Sequence, residues 1–380
     1  MAGSMESERT RNAAAAKSVA QLISHQFACP AVDPFEIDPE VAHEIIRIGQ
    51  ANKILKPLLK SLEDLQVPIP DDAKPAIATY SRKAMKNNAA ALATLREVAK
   101  ELSAAGIVHA AFKGPVRQIA LRQDVFERPV ADVDILVRHG DFTRATDVMK
   151  GMGYWIPLFC DSPWWRHYLG EHPLLPNGRN RLGVDLHHRT QHPSCPRPRD
   201  QEALLEDLDW ADIGGERVPI FGLTSIFLNT VMSIVKGLAN REPTGGHVLD
   251  LARQLHAADE EQLAKLERAA RDQKLEKSYT VAKRAVLVMT GVAPHTVPSW
   301  FVPDDDLLAM LLTPENPDIS WPRHTKLLWK LVDGKNRLGR AVKFTREFAW
   351  WTAAEFTRRT HDVSQLPARE DPGVAAATAA

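Results

Sequence analysis

The 380-residue sequence has few cysteines and no long apolar run. Its three cysteines, Cys29, Cys160 and Cys195, are far apart and form no C-x-x-C pair, so neither a disulfide framework nor a cysteine zinc site is indicated. No apolar run reaches the roughly 18 residues of a membrane-spanning helix, and no basic start leads into an apolar block at the N-terminus. We therefore expect an unexported cytoplasmic protein without a membrane partner.

The sequence also has no excess of charge of either sign. Lys and Arg total 48, as do Asp and Glu, giving a formal net charge of zero. Such a chain has no general attraction for a nucleic-acid backbone, so nonspecific DNA or RNA binding is disfavoured. One late segment, "KFTREFAWWTAAEFTRR" (343–359), does mix bases and aromatics. Its helical spacing predicts an apolar seam with a basic rim instead of an RNA-binding surface.

The length and the periodicity of the chain predict three structured parts and a tail. Residues 1–104 contain helical patterns up to about Phe27, over 38–65 and over 71–104. Residues 105–222 alternate between strand and helix patterns, and helical patterns return over 223–365. The low-complexity end, 366–380, is expected to be disordered.

The central block predicts at least four strands. "IVHAAFKG" and "ADVDILV" are typical of buried strands, with a short helix, "PVRQIALRQ", between them. A helix ending at Gly151 and Gly153 follows. "HPLLPN" and "LGVDLHHR" then predict an antiparallel hairpin, and "ERVPIFGL" is a possible last strand.

Two aspartates lie within the apolar strand "ADVDILV". Residues i and i+2 of a strand project from the same face with Cα atoms roughly 6.5–7 Å apart, so Asp132 and Asp134 are expected to lie side by side. Their mutual repulsion is removed by a divalent cation such as magnesium, which binds carboxylates and phosphate oxygens. Asp185, in the strand "VDLHHR", is a candidate third acid. The alternative is that these acids lie at strand ends in solvent, because D-x-D is a weak motif by itself.

A lysine and a glycine end the strand before the acid pair. In "AAFKGPVRQIA", Lys113 and Gly114 form a predicted turn where the backbone can approach an anion closely and the lysine supplies a positive charge. The alternative is an ordinary surface lysine. A P-loop motif, G-x-x-x-x-G-K-[ST], is absent.

Two further segments favour structural roles. The aromatic stretch "DSPWWRHYLGEH" predicts a short helix that packs between domains more readily than it stacks on a base. The segment "HVLDLARQL" is amphipathic, and the i, i+3 spacing of Asp250 and Arg253 is typical of a charge pair on a helix surface instead of site residues.

The segment "FKGPVRQIALRQDVFERPVADVDILVRHGDFTRATDVMKGMGY", followed by "VDLHHR" and "HVLDLARQL", resembles the uncharacterised nucleotidyltransferase family of the polymerase-beta-like superfamily. The order of these motifs is more specific than D-x-D alone, and the resemblance extends from about Ile107 to Leu255. It implies an α+β fold, with a small mixed-sheet nucleotidyltransferase core flanked by N-terminal and C-terminal helical regions.

The resemblance also implies an enzyme and its site residues. Asp132, Asp134 and Asp185 would be the catalytic, metal-binding acids, and Lys113, Gly114, Arg128 and His187 would contact or support the nucleotide. The implied cofactor is Mg2+ or Mn2+, the substrate a nucleoside triphosphate, with ATP expected, and the acceptor a small molecule or peptide. Pro115 departs from the Gly-Ser turn of the wider superfamily, and Asp185 stands where relatives often carry glutamate. A catalytically idle nucleotide-binding or antitoxin-like interaction module on the same fold is the alternative.

Overall fold

A computed structural model of the protein describes residues 2–27, 39–178, 181–291, 297–334 and 336–360. Cys29 and the predicted disordered tail, 366–380, lie outside the described residues. Within these ranges no helix has the length and apolar character needed to cross a membrane.

In the part of the chain that the structure describes, four α-helices precede the first strand: α1 (Ala2–His25), α2 (Pro39–Ala51), α3 (Leu55–Asp64) and α4 (Lys74–Ala104). The sequence predicted one helix over 38–65, but the chain turns between α2 and α3, where Lys53 adopts a φ of 58°. The side chain of Asn52 stabilises this turn. Its amide donates to the carbonyl of Leu312 at 2.7 Å, and its Oδ1 accepts from the backbone N–H of Gly245 at 2.8 Å. A tertiary contact with distant residues therefore ends α2.

The central block contains seven strands and two α-helices within the described residues. They are β1 (His109–Ala111), α5 (Pro115–Ala120), β2 (Asp132–Val137), α6 (Phe142–Gly151), β3 (Tyr154–Trp155), β4 (Glu171–Pro176), β5 (Gly183–His187), β6 (Leu208–Ile213) and β7 (Glu216–Phe221). The order in the mixed sheet is β3-β4-β5-β2-β1-β7-β6. The predicted antiparallel pairing of β4 with β5 is confirmed, and β2 pairs in parallel with β5.

Two strands of the sheet, β3 and β6, were not predicted from the sequence. β6 forms a hairpin with β7 through Gly214 and Gly215, whose φ values are 62° and 86°. A two-residue turn with positive φ at both central positions is the type I′ turn that matches the twist of a hairpin, and paired glycines favour it. The Gly-Gly pair before "ERVPIF" was thus an available signal for a preceding strand.

Helices return after β7: α7 (Leu223–Asn240), α8 (Gly245–Ala257), α9 (Glu260–Asp272), α10 (Glu276–Thr290), α11 (Asp304–Leu312), α12 (His324–Leu331) and α13 (Arg337–Thr360). Within 223–365 the sequence pattern predicts helices over 260–272 and 276–290, and α9 and α10 confirm both to the residue. The sequence pattern is less regular between Thr290 and Leu338, and α11 and α12 lie in this stretch. The aromatic segment forms a π-helical turn (Trp164–Leu169), and Tyr168 contacts Trp350 of α13 with ring centroids 4.7 Å apart, as expected for a packing role.

The two faces of the sheet are buried against different helices. Val133 and Ile135 of β2 share one hydrophobic core with α4 and α6. Phe112, Leu136 and Phe221 belong to the other core, which contains residues of α1 and of α7 to α12. The α+β fold with helical regions on both sides of the core is therefore confirmed. The predicted domain boundaries at 104/105 and 222/223 stay predictions, because buried residues on both sides of each boundary belong to common cores.

Candidate active site

A cavity of about 460 Å³ lies between the edge of the acid strands, the turn between α2 and α3, and the helices α7 and α8. Asp132, Asp134 and Asp185 all line it, as do Lys113 and Gly114. The cavity has the size of a small-molecule site. The tertiary structure thus brings the three predicted acids and the predicted phosphate turn to one place.

Strand pairing explains why the acids meet. β2 and β5 are parallel neighbours, and Asp134 lies directly opposite Asp185 in their register. Paired Cα atoms of adjacent strands are about 4.8 Å apart, and the side chains of such a pair share a face. Ligand atoms of Asp134, Asp185 and His187 lie within 4.8 Å of one another. Asp132 is two residues before Asp134 and therefore lies on the same face.

Asp134 is buried and held by two cations. Lys113 Nζ donates to its Oδ1 at 2.5 Å, and His187 Nε2 lies 3.1 Å from the same oxygen. Burial alone would raise the pKa of Asp134, but Lys113 and His187 outweigh it and hold the pKa well below its usual range. The pKa of Lys113 is raised in turn, because the attraction of Asp134 outweighs the loss of hydration. Asp134 is therefore ionised at neutral pH.

His187 is fixed between two acids. Its Nδ1 lies 3.2 Å from Oε2 of Glu171, a residue of β4 that pairs with His187 in the sheet. Burial lowers the pKa of His187, yet the contacts with Asp134 and Glu171 raise it to about 9. Burial opposes ionisation of Glu171 too, but His187 lowers its pKa to about 2. These contacts favour the protonated ring, which orients the two acids; after loss of that proton, a nitrogen of His187 is one of the three ligand atoms in the group with Asp134 and Asp185.

The pKa values of Asp185 and Asp132 are raised, whereas that of Asp134 is lowered. Burial raises the pKa of Asp185 to about 7, and although His187 lowers it, the neighbouring carboxylates of Asp134, Asp132 and Glu171 add to the rise. The pKa of Asp132 is also raised, by burial and by Asp134. Two of the three acids consequently carry charge that their protein neighbours do not fully compensate.

These acids fit a divalent cation. Oxygen donors from two or three carboxylates are the ligands that Mg2+ and Mn2+ prefer, and a cation would compensate the charge that raises the pKa of Asp132 and Asp185. Asp132, Asp134 and Asp185 are the residues that would hold it.

Gly114 has the backbone conformation that the predicted turn requires. Its φ is 61°, and a Cβ atom there would approach Cγ1 of Val130 to 3.2 Å. Both observations favour glycine. Pro115 begins α5 immediately afterwards, at the helix position that tolerates a missing N–H. The turn thus places Lys113 beside the acids while Gly114 lines the cavity.

Arg128 lines the cavity but binds a residue that the sequence analysis put elsewhere. Its guanidinium donates to both carboxylate oxygens of Asp250 and to the carbonyl of Gly246. Asp250 is fully buried, and Arg253 pairs with Glu127. The prediction of a surface pair between Asp250 and Arg253 is therefore wrong, because α8 turns Asp250 inward against the core domain. The role of Arg128 as a nucleotide ligand stays a prediction.

Several cavity residues were not identified from the sequence. Lys53 comes from the α2–α3 turn and Lys236 from α7. Among the described residues neither forms a salt bridge with a carboxylate; Nζ of Lys236 lies 3.3 Å from Nε2 of His192. Arg117 is buried and contacts Asn229, His247 and Asp250. The only sequence signal was Lys236 itself, a lone charge within the otherwise uncharged helix α7.

A comparison with protein families identifies the family of the chain. A family described as "Uncharacterised nucleotidyltransferase" matches residues 38–286, more than half of the chain. The match includes α2 to α4, which the sequence analysis had not assigned, and it covers the acid strands and the helices that close the cavity. No curated protein matches the chain. The acids of β2 and β5, the lysine-glycine turn and the extent of the family match together show that the chain belongs to this nucleotidyltransferase family.

Proposed function

We propose that the protein transfers a nucleoside monophosphate from a nucleoside triphosphate, ATP in the first instance, to a hydroxyl or phosphate of a small molecule or peptide. The transfer depends on Mg2+ or Mn2+ and releases pyrophosphate. The observation that carries the proposal is the meeting of Asp132, Asp134 and Asp185 in one cavity with lysines from three separate elements.

The lysines suit the triphosphate. Lys53, Lys113 and Lys236 line the cavity, and an ammonium group binds phosphate as a point charge. Burial lowers the pKa of Lys236, and the nearby Lys113 lowers it further, so an anionic ligand between them is favoured. Lys113 contacts Asp134 and can therefore bind phosphate and orient the acid together.

Asp185 suits the general base. The acceptor oxygen forms a bond to the α-phosphorus, and the bond between the α-phosphorus and the bridging oxygen breaks to release pyrophosphate. When the acceptor is a hydroxyl, its proton passes to the carboxylate of Asp185; an ionised phosphate oxygen has no proton to transfer. A base functions best when its pKa is near the working pH, and without a bound cation burial raises the pKa of Asp185 to about 7, so this carboxylate has the highest proton affinity for which the site gives a value among its acids. Asp134 stays ionised throughout, because Lys113 and His187 stabilise its charge.

Asp132, Asp134 and Asp185 would hold the divalent cation. When bound, the cation supplies neutralisation of the charge on the phosphate oxygens.

The alternative, an idle nucleotide-binding or interaction module, has one observation in its favour. Lys113 and His187 already neutralise Asp134, as a purely structural acid would require. The two functions differ in metal dependence, because a module that uses the acids only for folding binds ATP equally well with and without Mg2+.

The first prediction concerns the acid pair. Asp132→Asn and Asp134→Asn should abolish Mg2+-dependent ATP binding and lower transfer of label from α-32P-ATP to extract metabolites about a hundredfold or more, as expected for lost transition-state electrostatics. Asp147→Asn, an exposed acid on α6, is the matched control and should behave as the wild type. Label that appears on an acceptor from γ-32P-ATP instead would indicate kinase-like chemistry and contradict the proposal.

A further inference from the structure

A second cavity, of about 310 Å³, lies beyond the end of β5, between the loop that follows this strand and α13. Four arginines line it: Arg189, Arg197, Arg199 and Arg346. None of these residues lines the acid cavity, the cavity that contains Asp132, Asp134 and Asp185, and no described carboxylate lines the second cavity.

The positive charge of this cavity is not balanced by the protein. Among the described residues Glu347 is the one carboxylate in ion-pair contact with these arginines; it lies 2.9 Å from Nε of Arg197 and 3.3 Å from Nη2 of Arg346. No described carboxylate pairs with Arg189 or Arg199. Burial lowers the pKa of Arg189, and the nearby charge of Arg197 lowers it further. Four cations therefore face one anion.

Two guanidinium groups are held in place by one aromatic ring. Arg189 and Arg197 both contact the ring of Trp350, at 5.1 and 4.7 Å from its centroid. Stacking of this kind fixes the plane of a guanidinium and leaves its N–H edge free to donate. The donors are thus oriented before any ligand arrives.

Buried polar atoms in the cavity have no protein partner. Gln191 is 3% exposed, and within the described part of the chain neither Nε2 nor Oε1 of its amide forms a hydrogen bond. Nη1 of Arg189 is buried without a partner too. Most buried polar atoms in proteins are hydrogen-bonded, so these two donors and one acceptor are free to bind a ligand in the cavity.

We propose that this cavity binds the phosphate group of a hydroxylated small molecule, a phosphate monoester of the sugar-phosphate class. The excess positive charge matches a dianion better than a carboxylate, and the several guanidinium groups can engage three phosphate oxygens. Oε1 of Gln191 needs a donor, which a hydroxyl group next to the phosphate supplies. The volume fits a ligand of this size. The proposal concerns binding only and does not depend on the metal chemistry of the acid cavity.

The experiment measures binding of ribose 5-phosphate, inorganic phosphate and ribose to the full-length protein by calorimetry. EDTA is present, so that metal-dependent binding in the acid cavity does not contribute. We expect ribose 5-phosphate to bind at least about tenfold more tightly than either of the other two. Equal binding of ribose would overturn the proposal, and equal binding of inorganic phosphate would overturn the assignment to a monoester.

Variants locate the site. Arg189→Gln should weaken binding of ribose 5-phosphate about tenfold, since it removes a charge-assisted contact. Arg199 is exposed, and Arg199→Gln leaves the pair stacked on Trp350 intact. This variant should also weaken binding of ribose 5-phosphate, and it tests the site even if Arg189→Gln fails to fold. Gln191→Met should weaken binding of ribose 5-phosphate and leave that of inorganic phosphate unchanged.

Two controls accompany them. Arg217 stacks on Trp210 in the β6–β7 hairpin, so Arg217→Gln removes a similar guanidinium from a different surface and should have no effect. Lys236→Gln should also bind ribose 5-phosphate as the wild type does. Loss of binding in Lys236→Gln, or wild-type binding in both Arg189→Gln and Arg199→Gln, would show that the phosphate binds elsewhere.

Discussion

Asp134 and Asp185 lie opposite each other in the sheet, yet their environments move their pKa values in opposite directions. Lys113 and His187 both contact Asp134 and lower its pKa, whereas burial and neighbouring carboxylates raise the pKa of Asp185 to about 7. Two carboxylates separated in this way can perform different tasks at one pH. In the reaction proposed above, Asp134 stays ionised and Asp185 accepts the proton.

A second prediction follows from the raised pKa of Asp185. Its folded-state pKa of about 7 exceeds the value of about 3.9 expected for an unfolded chain, so the folded state binds the proton more tightly. The stability that this proton supplies is present below pH 4 and is lost as the pH rises to 7. Asp185→Asn does not share this loss. Its unfolding free energy, taken relative to that of the wild type, should therefore be larger at pH 8 than at pH 5.5.

Urea unfolding in EDTA at both pH values measures this difference. For Asp147→Asn, the difference in unfolding free energy from the wild type should be the same at both pH values, which controls for the loss of a surface charge. Added Mg2+ should stabilise the wild type at pH 8 more than it stabilises Asp185→Asn. A difference between variant and wild type that does not vary with pH would contradict the raised pKa.

The third prediction concerns the two lysines that lack carboxylate partners among the described residues. Lys53→Gln and Lys236→Gln should each weaken ATP binding by about 1.5–3 kcal/mol, roughly tenfold or more, because a charge-assisted contact with phosphate is lost. The exposed Lys100→Gln on α4 is the control. Calorimetry with ATP and Mg2+ measures the effect, and unchanged affinity in both variants would place the triphosphate elsewhere.

At the scale of elements, α8 connects the helical region to the acid strands. It presents Asp250 to Arg128, which precedes β2, and to Arg117 of α5. Glu127 pairs with Arg253 of the same helix. Charges that are removed from water in this way must remain paired, so the network fixes the wall of the cavity relative to the sheet.

The fourth prediction tests this network. Asp250→Ala should lower the unfolding free energy by about 3–5 kcal/mol, because it leaves two buried arginines without their shared partner. Glu355→Gln breaks a surface pair with Arg358 on α13 and should cost at most about 0.5 kcal/mol. Urea unfolding of both variants provides the comparison, and similar small losses would mean that Asp250 is not structurally important.

At the scale of the whole molecule, one hydrophobic core joins distant parts of the chain. Val19 of α1, Phe112 and Phe221 of the sheet region, and Phe227 of α7 are buried in the same cluster. The sheet therefore depends on helices from both ends of the sequence to cover one of its faces, and a site at the junction of the three parts needs all of them.

The fifth prediction concerns the independence of the central block. A fragment of residues 105–222 would expose Phe112, Leu136 and Phe221, which the helices bury in the full chain. Because a large exposed apolar face favours aggregation over a stable fold, we expect this fragment to be insoluble or readily digested. Circular dichroism and limited proteolysis measure the result; a cooperative unfolding transition of the fragment would instead support an autonomous core domain.

Much of the fold and part of the site were predictable from local pattern. Periodicity predicted β2, β5, α9 and α10, because their faces alternate or repeat as their secondary structure requires. The D-x-D spacing placed Asp132 and Asp134 together, and the positive φ of Gly114 agrees with the predicted turn. These features depend on residues near one another in the chain.

Tertiary structure alone decided the rest. Asp185 meets Asp134 because two parallel strands pair in one register, and Lys53 enters the cavity because Asn52 binds residues far along the chain. Asp250 is buried for the same reason, since the orientation of α8 depends on its packing and not on its own sequence pattern. The sequence by itself determined which residues carry the chemistry within each segment, whereas long-range packing and strand register determined which of them face one another.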